Sequence, residues 1–442
     1  MAATETRRSV LLVTPGYPPN SIGGTELHVR GLVEALSGRY AMRVLSRDAR
    51  GPEPEWEDPV LRAPRGPLMG SVDELVARSD PAFESAALEA VEDFRPGLVH
   101  LHHWIHLSNS LVELLARQRM PVVATLHDHY PICARTDLLR RGEVPCPGPE
   151  GGHACADCLP PPGAVFAGES KAHRVGRIAG SRLGLGRLTK RWVHARAQGV
   201  FRARLELLRG ELRRASAVIC PSAALKREIA SVWPELEPQL TVLAHGVDTA
   251  WGRQVRRKPS VRVRFAYIGA VTPHKGIQTL LDAFAEVGPR GAELAIYGEI
   301  PDASFQRQVS ARAARIGATM HGRYEPDHLP EIYSRVDVAV VPSICKENAP
   351  LAALEAQVGG APVIASDLGG LPEVVEDETD GLLFRAGDAR DLAEKIRAVA
   401  GDAQLLARLR ANVRRPKSMP EYAREITSIY EAAISTITEE RP

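Results

Sequence analysis

The sequence predicts an α/β protein made of two doubly wound domains. Short β-branched runs alternate with longer helical patterns along the chain, the rhythm of parallel sheets covered by helices on both faces. That rhythm breaks once, at residues 249–260, where TAWGRQVRRKPS is polar, basic and without period. The length of 442 residues leaves room for two or three domains at roughly 150 residues each.

In the first half, residues 9–13, 41–45, 98–102, 122–126 and 217–220 read as strands, with helical patterns such as 26–37 and 108–118 between them. In the second half the strands are 264–268, 293–297, 338–341 and 362–365. Their helices are 276–287, 303–316, 350–358 and 388–399. The expected organisation is a first domain over residues 1–250 that carries a cysteine-rich loop (131–163) and a basic helical arm (165–214). A second domain follows over 261–415, and a helix within 416–442 is expected to pack back on the first domain. Ligands of such folds bind beyond the carboxyl ends of the strands, so a site in a cleft between the domains is expected.

Composition excludes several classes. With 44% hydrophobic and 25% charged residues, neither a disordered chain nor a fibre fits. A formal charge of +2 argues against a nucleic-acid partner. No apolar run approaches the roughly 18 to 20 residues of a membrane-spanning helix. The start, MAATETRRSV, lacks the pattern of a secretory signal, so a cytoplasmic location is expected. In that reducing setting six cysteines are expected to be thiols or ligands.

The strongest constellation is Ser343-Ile-Cys-Lys-Glu347-Asn348-Ala349-Pro350-Leu351-Ala-Ala-Leu-Glu355. Pro350 suits a first helical position, with Asn348 near enough to help cap the helix. Unpaired N–H groups at that helix start favour an anion such as a diphosphate. Glu347 in the loop and Glu355 in the helix can accept hydrogen bonds from sugar or ribose hydroxyls. The plain alternative makes them a solvated loop acid and a helix-surface acid. Upstream, Tyr267-Ile-Gly269-Ala270-Val-Thr-Pro-His274-Lys275-Gly276 puts a lysine at a glycine-containing turn after a strand. A lysine there meets phosphate as a point charge, and the alternative is a surface lysine at a helix start. Downstream lies Gly369-Gly370-Leu-Pro-Glu373. Near the N-terminus, Gly23-Gly24-Thr-Glu26 joins a strand to a helix, where glycines permit close backbone approach to a ligand.

Taken in order, these segments resemble the group-one (family four) retaining glycosyltransferases. The Gly23-Gly24-Thr-Glu loop, residues 100–104, His127-Asp128, Gly246-Val-Asp248, the Lys275-Gly276 turn, the two glutamates and Gly369-Gly370-Leu-Pro-Glu373 all take part. The resemblance implies a GT-B fold, in which two Rossmann-like domains face a central cleft, and a nucleotide-sugar donor. It implies that Glu347 binds the transferred sugar's hydroxyls and Glu355 the ribose. Lys275 and the backbone of Asn348, Ala349, Pro350 and Leu351 would hold the diphosphate. Gly23 and Gly24 would approach phosphates or acceptor, His127 would line the reaction centre, and His321-Gly-Arg323 would form part of the base pocket. One residue departs from the pattern: many relatives carry arginine where this chain has Ala270. The implied reaction retains anomeric configuration by same-face attack, with His127, Glu347 and Lys275 at the reaction centre and no cofactor required. No Asp-x-Asp triplet of the kind many metal-using transferases employ occurs in the chain. The acceptor would be a glycan, lipid-linked or small molecule. A nucleotide-sugar epimerase and a non-catalytic sugar-nucleotide-binding scaffold are the alternatives.

Two further features stand outside that constellation. Cys133, Cys146, Cys155 and Cys158 have spacing that suits a closed four-thiolate structural zinc site, with disulfides or free thiols as alternatives. Between residues 169 and 214, thirteen lysines and arginines stand against Glu169, Glu206 and Glu211, a balance of +10. Such an arm suits peripheral contact with an anionic membrane at its inner face, or a phosphorylated acceptor. A solvated helical face is the alternative.

Overall fold

The computed structural model describes residues 8–141, 144–163, 186–288 and 292–439. Contacts divide the chain into two units. The first takes the chain through Pro221, Lys226–Leu243 and the chain from Ala423 on; the second takes Ser222–Leu225 and Ala244–Tyr422. The segment 249–260, where the rhythm breaks between the expected domains, therefore groups with the second unit, where Trp251 stacks on Tyr333 with ring centroids 5.4 Å apart.

The strands of the first unit are β1 (Ser9–Thr14), β2 (Ala41–Ser46), β3 (Glu55–Glu57), β4 (Val60–Arg62), β5 (Leu98–Leu101), β6 (Val122–Thr125), β7 (Leu139–Arg140), β8 (Val144–Pro145), β9 (Ala217–Cys220) and β10 (Leu240–Val242). Eight of them form one sheet in the order β10-β9-β6-β5-β1-β2-β4-β3, parallel except for the β3–β4 pair, while β7 and β8 make a small hairpin. Every residue of β5 and β6 is buried, as expected of central parallel strands covered on both faces. Strand order reverses between β1 and β5. Loops that leave the carboxyl ends of those neighbours diverge to opposite faces and open a crevice.

The second unit contains β11 (Arg264–Ile268), β12 (Glu293–Tyr297), β13 (Thr319–Gly322), β14 (Val338–Val341), β15 (Val363–Ser366) and β16 (Gly381–Phe384). They form a wholly parallel sheet in the order β13-β12-β11-β14-β15-β16. Its switch point lies between β11 and β14. The helix Ile277–Val287 buries Ile277, Leu280, Leu281 and Phe284, the i, i+3, i+4, i+7 stripe of an amphipathic helix. Phe284 meets Phe265 of β11 edge-on at 5.7 Å, which seals one face of the sheet. On the other face, Ala353 and Ala356 of the helix Leu351–Val358 are fully buried. Their small side chains let that helix approach the strands closely.

The helix Met419–Glu439 closes the chain. Within the first unit, Tyr430 Oη lies 2.7 Å from Nδ1 of His100 on β5, and its ring meets Tyr40 edge-on. Among the described residues no helix is long and apolar enough to cross a membrane.

Candidate active site

The second unit's switch point brings the two strongest sequence segments together. After β11 the chain enters a short 3-10 turn, Pro273–Lys275, and Gly276 (φ 74°) starts the next helix. A Cβ on Gly276 would stand 1.7 Å from the Pro342 carbonyl oxygen, so only glycine lets this turn lie against the end of β14. The Ile344 N–H donates to the His274 carbonyl at 3.0 Å, which fastens the two loops. Lys275 Nζ consequently reaches Glu347 Oε1 at 2.6 Å, with the side chains 32% and 13% exposed. Both remain open to a ligand.

Ser343, buried at the end of β14, donates from Oγ to the same Glu347 oxygen at 2.5 Å. Burial alone would raise the Glu347 carboxyl, but the Lys275 ammonium and the hydrogen bonds from Lys275 and Ser343 hold it below its ordinary value. Burial pulls Lys275 down, and the Glu347 carboxylate outweighs that and holds its ammonium above its usual range. At neutral pH the pair is therefore charged. An ammonium has three donors; one is spent on Glu347.

From the other side, the Gly370 N–H donates to the Glu347 carbonyl at 2.6 Å. Gly369 has φ 61°, and a Cβ there would come within 2.6 Å of that same carbonyl. The Gly369-Gly370 turn thus packs against the backbone of Glu347 and Asn348, and side chains at either position would push it off.

The helix after this loop is Leu351–Val358. Pro350 is its N-cap and not its first helical residue, because its ψ of 89° leaves the helical range. The Pro350 carbonyl accepts from Ala353 and Leu354 at 2.9 and 3.2 Å. The side chain of Pro350 makes no capping hydrogen bond at this helix start. The first-turn N–H groups lack intrahelical partners and carry the positive end of the helix dipole. One turn further in, burial pushes the Glu355 carboxyl up to about 7. Tyr324 and Tyr333 are its electrostatic neighbours, and both phenols are raised, first by burial and then by Glu355.

His321, at the end of β13, stacks on Tyr297 with centroids 4.2 Å apart and planes 2° from parallel. Arg323 lies against Glu325 (3.5 Å) and Glu299 (3.9 Å). Ala270 is exposed, and its carbonyl accepts from Tyr267 Oη at 2.6 Å.

In the first unit, Gly23 precedes the helix Gly24–Leu36 at the β1 carboxyl end. A Cβ on Gly23 would meet Glu26 Oε2 at 2.6 Å. At the end of β6, His127 Nε2 lies 3.1 Å from His102 Nδ1. Next to it His103 Nε2 lies 2.9 Å from Asp128 Oδ2. Burial presses the His127 imidazole well below its ordinary pKa, and the neighbouring histidines add to that, so it is neutral.

Two expectations meet a different structure. The four cysteines line one small cavity together with Leu139 and Pro149. All six cysteines are free thiols. Among the described residues no group of three or more histidine, cysteine, aspartate or glutamate side chains is gathered as a metal site. The zinc expectation thus finds no preformed ligand set. Instead Cys146 Sγ donates to the Gly148 carbonyl, and Cys158 Sγ accepts from the Arg141 N–H.

The basic arm is described only from the helix Gly186–Arg214; Lys171, Arg174, Arg177 and Arg182 lie outside the described residues. That helix is not basic all round. Ala197, Phe201, Arg204, Leu205, Leu208 and Leu212 are buried along one stripe. Arg204 serves structure there, donating to the Leu75, Tyr130 and Pro131 carbonyls. Lys190, Arg191, Arg202, Arg213 and Arg214 remain exposed.

Sequence reasoning assigned no role to Ser343, Tyr324 or His102. Ser343 lies four residues before Glu347, and that local spacing was its only signal.

Comparison with known proteins identifies a family. The family described as Glycosyltransferase Family 4 matches residues 22–251, and Glycosyl transferases group 1 matches residues 262–402. A D-inositol 3-phosphate glycosyltransferase of Segniliparus rotundus is 27% identical over 408 residues, covering 88% of this chain and 80% of its own. A glycogen synthase of Mycobacterium tuberculosis is 24% identical over 421 residues, covering 89% and 86%. Among solved structures, sucrose-phosphate synthase from Thermosynechococcus elongatus shares the fold with a TM-score of 0.68 and 21% identity over 97% of this chain and all of its own. Anabaena Alr3699/HepE in complex with UDP and glucose matches with a TM-score of 0.63 and 17% identity, over 96% of this chain and all of its own.

Proposed function

The chain belongs to glycosyltransferase family 4, and we propose that it takes a sugar from a nucleoside-diphosphate sugar bound at the second unit's switch point and passes it, with retention, to a glycan, lipid-linked or small-molecule acceptor. One observation carries the reading: Lys275 and Glu347, from the loops after β11 and β14, meet at 2.6 Å beside the start of the helix Leu351–Val358. The relatives named above are transferases and synthases, which lends the epimerase and scaffold readings no support.

In glycosyl transfer the anomeric carbon gains positive character while negative charge builds on the departing diphosphate. Lys275 has two donors left for phosphate oxygens. At an effective dielectric near 20 and about 4 Å, such a contact is worth on the order of 4 kcal/mol before desolvation. The N–H groups of Leu351 and its neighbours supply oriented dipoles that need no reorganisation as charge develops. Glu347 has one oxygen engaged by Lys275 and Ser343, and its other oxygen would accept from a sugar hydroxyl. Glu355 would accept from the ribose. His127, neutral, offers a hydrogen bond to the substrate without adding charge. The leaving phosphate can take the acceptor's proton, so no protein base is required.

Lys275→Ala and Glu347→Ala test this. Removing a preorganised stabiliser of this kind costs roughly 100- to 1000-fold in turnover. Transfer is expected to fall by that order while thermal unfolding stays close to that of the parent. Full transfer in either variant overturns the assignment. A thermal-shift screen of UDP-, ADP- and GDP-sugars identifies the donor, because a ligand bound only by the folded state raises its stability.

A further inference from the structure

The first unit contains a line of histidines of which the proposed function uses only His127. His100 lies on β5 and His102 two residues on, so both side chains emerge on one face of the sheet. Each reaches across to β6 by the same diagonal step. The register pairs His100 with Val123, yet His100 Nε2 bonds Thr125 Oγ1, two residues further, at 2.8 Å. Continued by two residues, that register sets His102 opposite Thr125, and His102 Nδ1 meets His127, again two residues further, at 3.1 Å. Such diagonal neighbours are within reach of long side chains.

The surroundings leave these rings little freedom. His100 and His102 lie 3.9 Å apart, and His28 from the helix Gly24–Leu36 closes over His102 and His127 at 6.0 and 5.5 Å. Behind them His100 Nδ1 is held by Tyr430 Oη. His100, His102 and His28 are buried.

We propose that His102 is a positioning residue: its Nδ1 holds Nε2 of His127, setting the plane and tautomer that this ring presents to substrate. A neutral imidazole carries one N–H and one lone pair. A hydrogen bond between two neutral rings therefore uses the proton of one and the lone pair of the other, and the two tautomers are coupled. A ring free to rotate, or split between tautomers, would present the wrong group to a sugar hydroxyl part of the time. The inference rests on His127 acting in the reaction.

The experiment compares His127→Ala, His102→Leu and His102→Asn, with ¹⁵N spectra of the histidine rings. Asparagine keeps a hydrogen-bonding atom near the place of Nδ1, and leucine does not. A displaced catalytic-site group costs on the order of a hundredfold in rate. His102→Leu is expected to lose turnover of that order with donor KM changed less than about twofold, and His102→Asn to recover most of it. Wild type is expected to show one His127 tautomer and His102→Leu a mixture. Unchanged turnover in His127→Ala removes the reading on which this rests. A damaged His127→Ala beside an intact His102→Leu removes this inference alone. Equal damage in the leucine and asparagine variants also overturns it. Should His102→Leu not fold, a mixture of His127 tautomers in wild type overturns the proposal by itself.

Discussion

At Glu355, burial raises the carboxyl from 4.5 to about 7, and with the proposed contact to the ribose donor binding is expected to depend on pH. Hydroxyl donors bind the carboxylate, and its population falls as pH drops below about 7. Donor KM is expected to rise between pH 7.5 and 6, and Glu355→Gln to flatten that rise; a profile unchanged by the substitution would separate Glu355 from the donor. The same shift bears on stability. An acid whose folded pKa is raised contributes stability below its unfolded value, and that contribution is lost as pH climbs through the folded one. Unfolding free energy is therefore expected to decline from about pH 4.5 to 7 by an amount that Glu355→Gln removes, read from denaturant melts across that range. The type and spacing of Glu355 were legible in the sequence. Its raised pKa was not, because desolvation depends on neighbours such as Tyr324 and Tyr333 that come from other elements.

Among the elements, the turn Pro273–Gly276 shows how a loop can depend on a missing atom. Alanine at 276 would hold a φ of 74° and place its Cβ 1.7 Å from the Pro342 oxygen. The left-handed conformation alone costs a non-glycine residue roughly 1–2 kcal/mol. With the clash added, Gly276→Ala is expected to destabilise the protein by more than about 2 kcal/mol, measured by urea unfolding. Transfer should fall further than the folded fraction does, because Lys275 moves with the turn. The strands were legible wherever apolar runs were unbroken: β9, β11, β12 and β14 span 217–220, 264–268, 293–297 and 338–341 as read. Two were missed. β13, Thr319–Gly322, is an edge strand with no fully buried residue, so its sequence lacks an apolar run. β16, Gly381–Phe384, opens on a glycine and has no β-branched residue, so it lacks the composition that marks the other strands. Pro350 was misplaced by one position because its ring fixes φ, whereas its ψ is set by the packed loop.

For the whole molecule, the helix Met419–Glu439 bears on the histidine line through the ring and the hydroxyl of Tyr430. Tyr430→Phe keeps the ring against Tyr40 and removes the bond to His100 Nδ1. A buried polar atom left unsatisfied costs about 1–3 kcal/mol. A melting temperature lower by several degrees is expected; an unchanged one would mean that the hydroxyl contributes nothing. The sequence by itself determined the alternation that builds two parallel sheets, the loops that follow their strands, and an ordered set of motifs specific enough to indicate the family. These are local signals, written in periodicity and in residues a few positions apart. Only the tertiary structure decided that Lys275, 72 residues from Glu347 in sequence, meets the same Glu347 oxygen as Ser343, that His102 lies within hydrogen-bond distance of His127, and that the four cysteines gather no preformed metal site among the described residues. Those outcomes depend on which loops the sheet order makes neighbours and on how far each group is withdrawn from water. No local pattern encodes either.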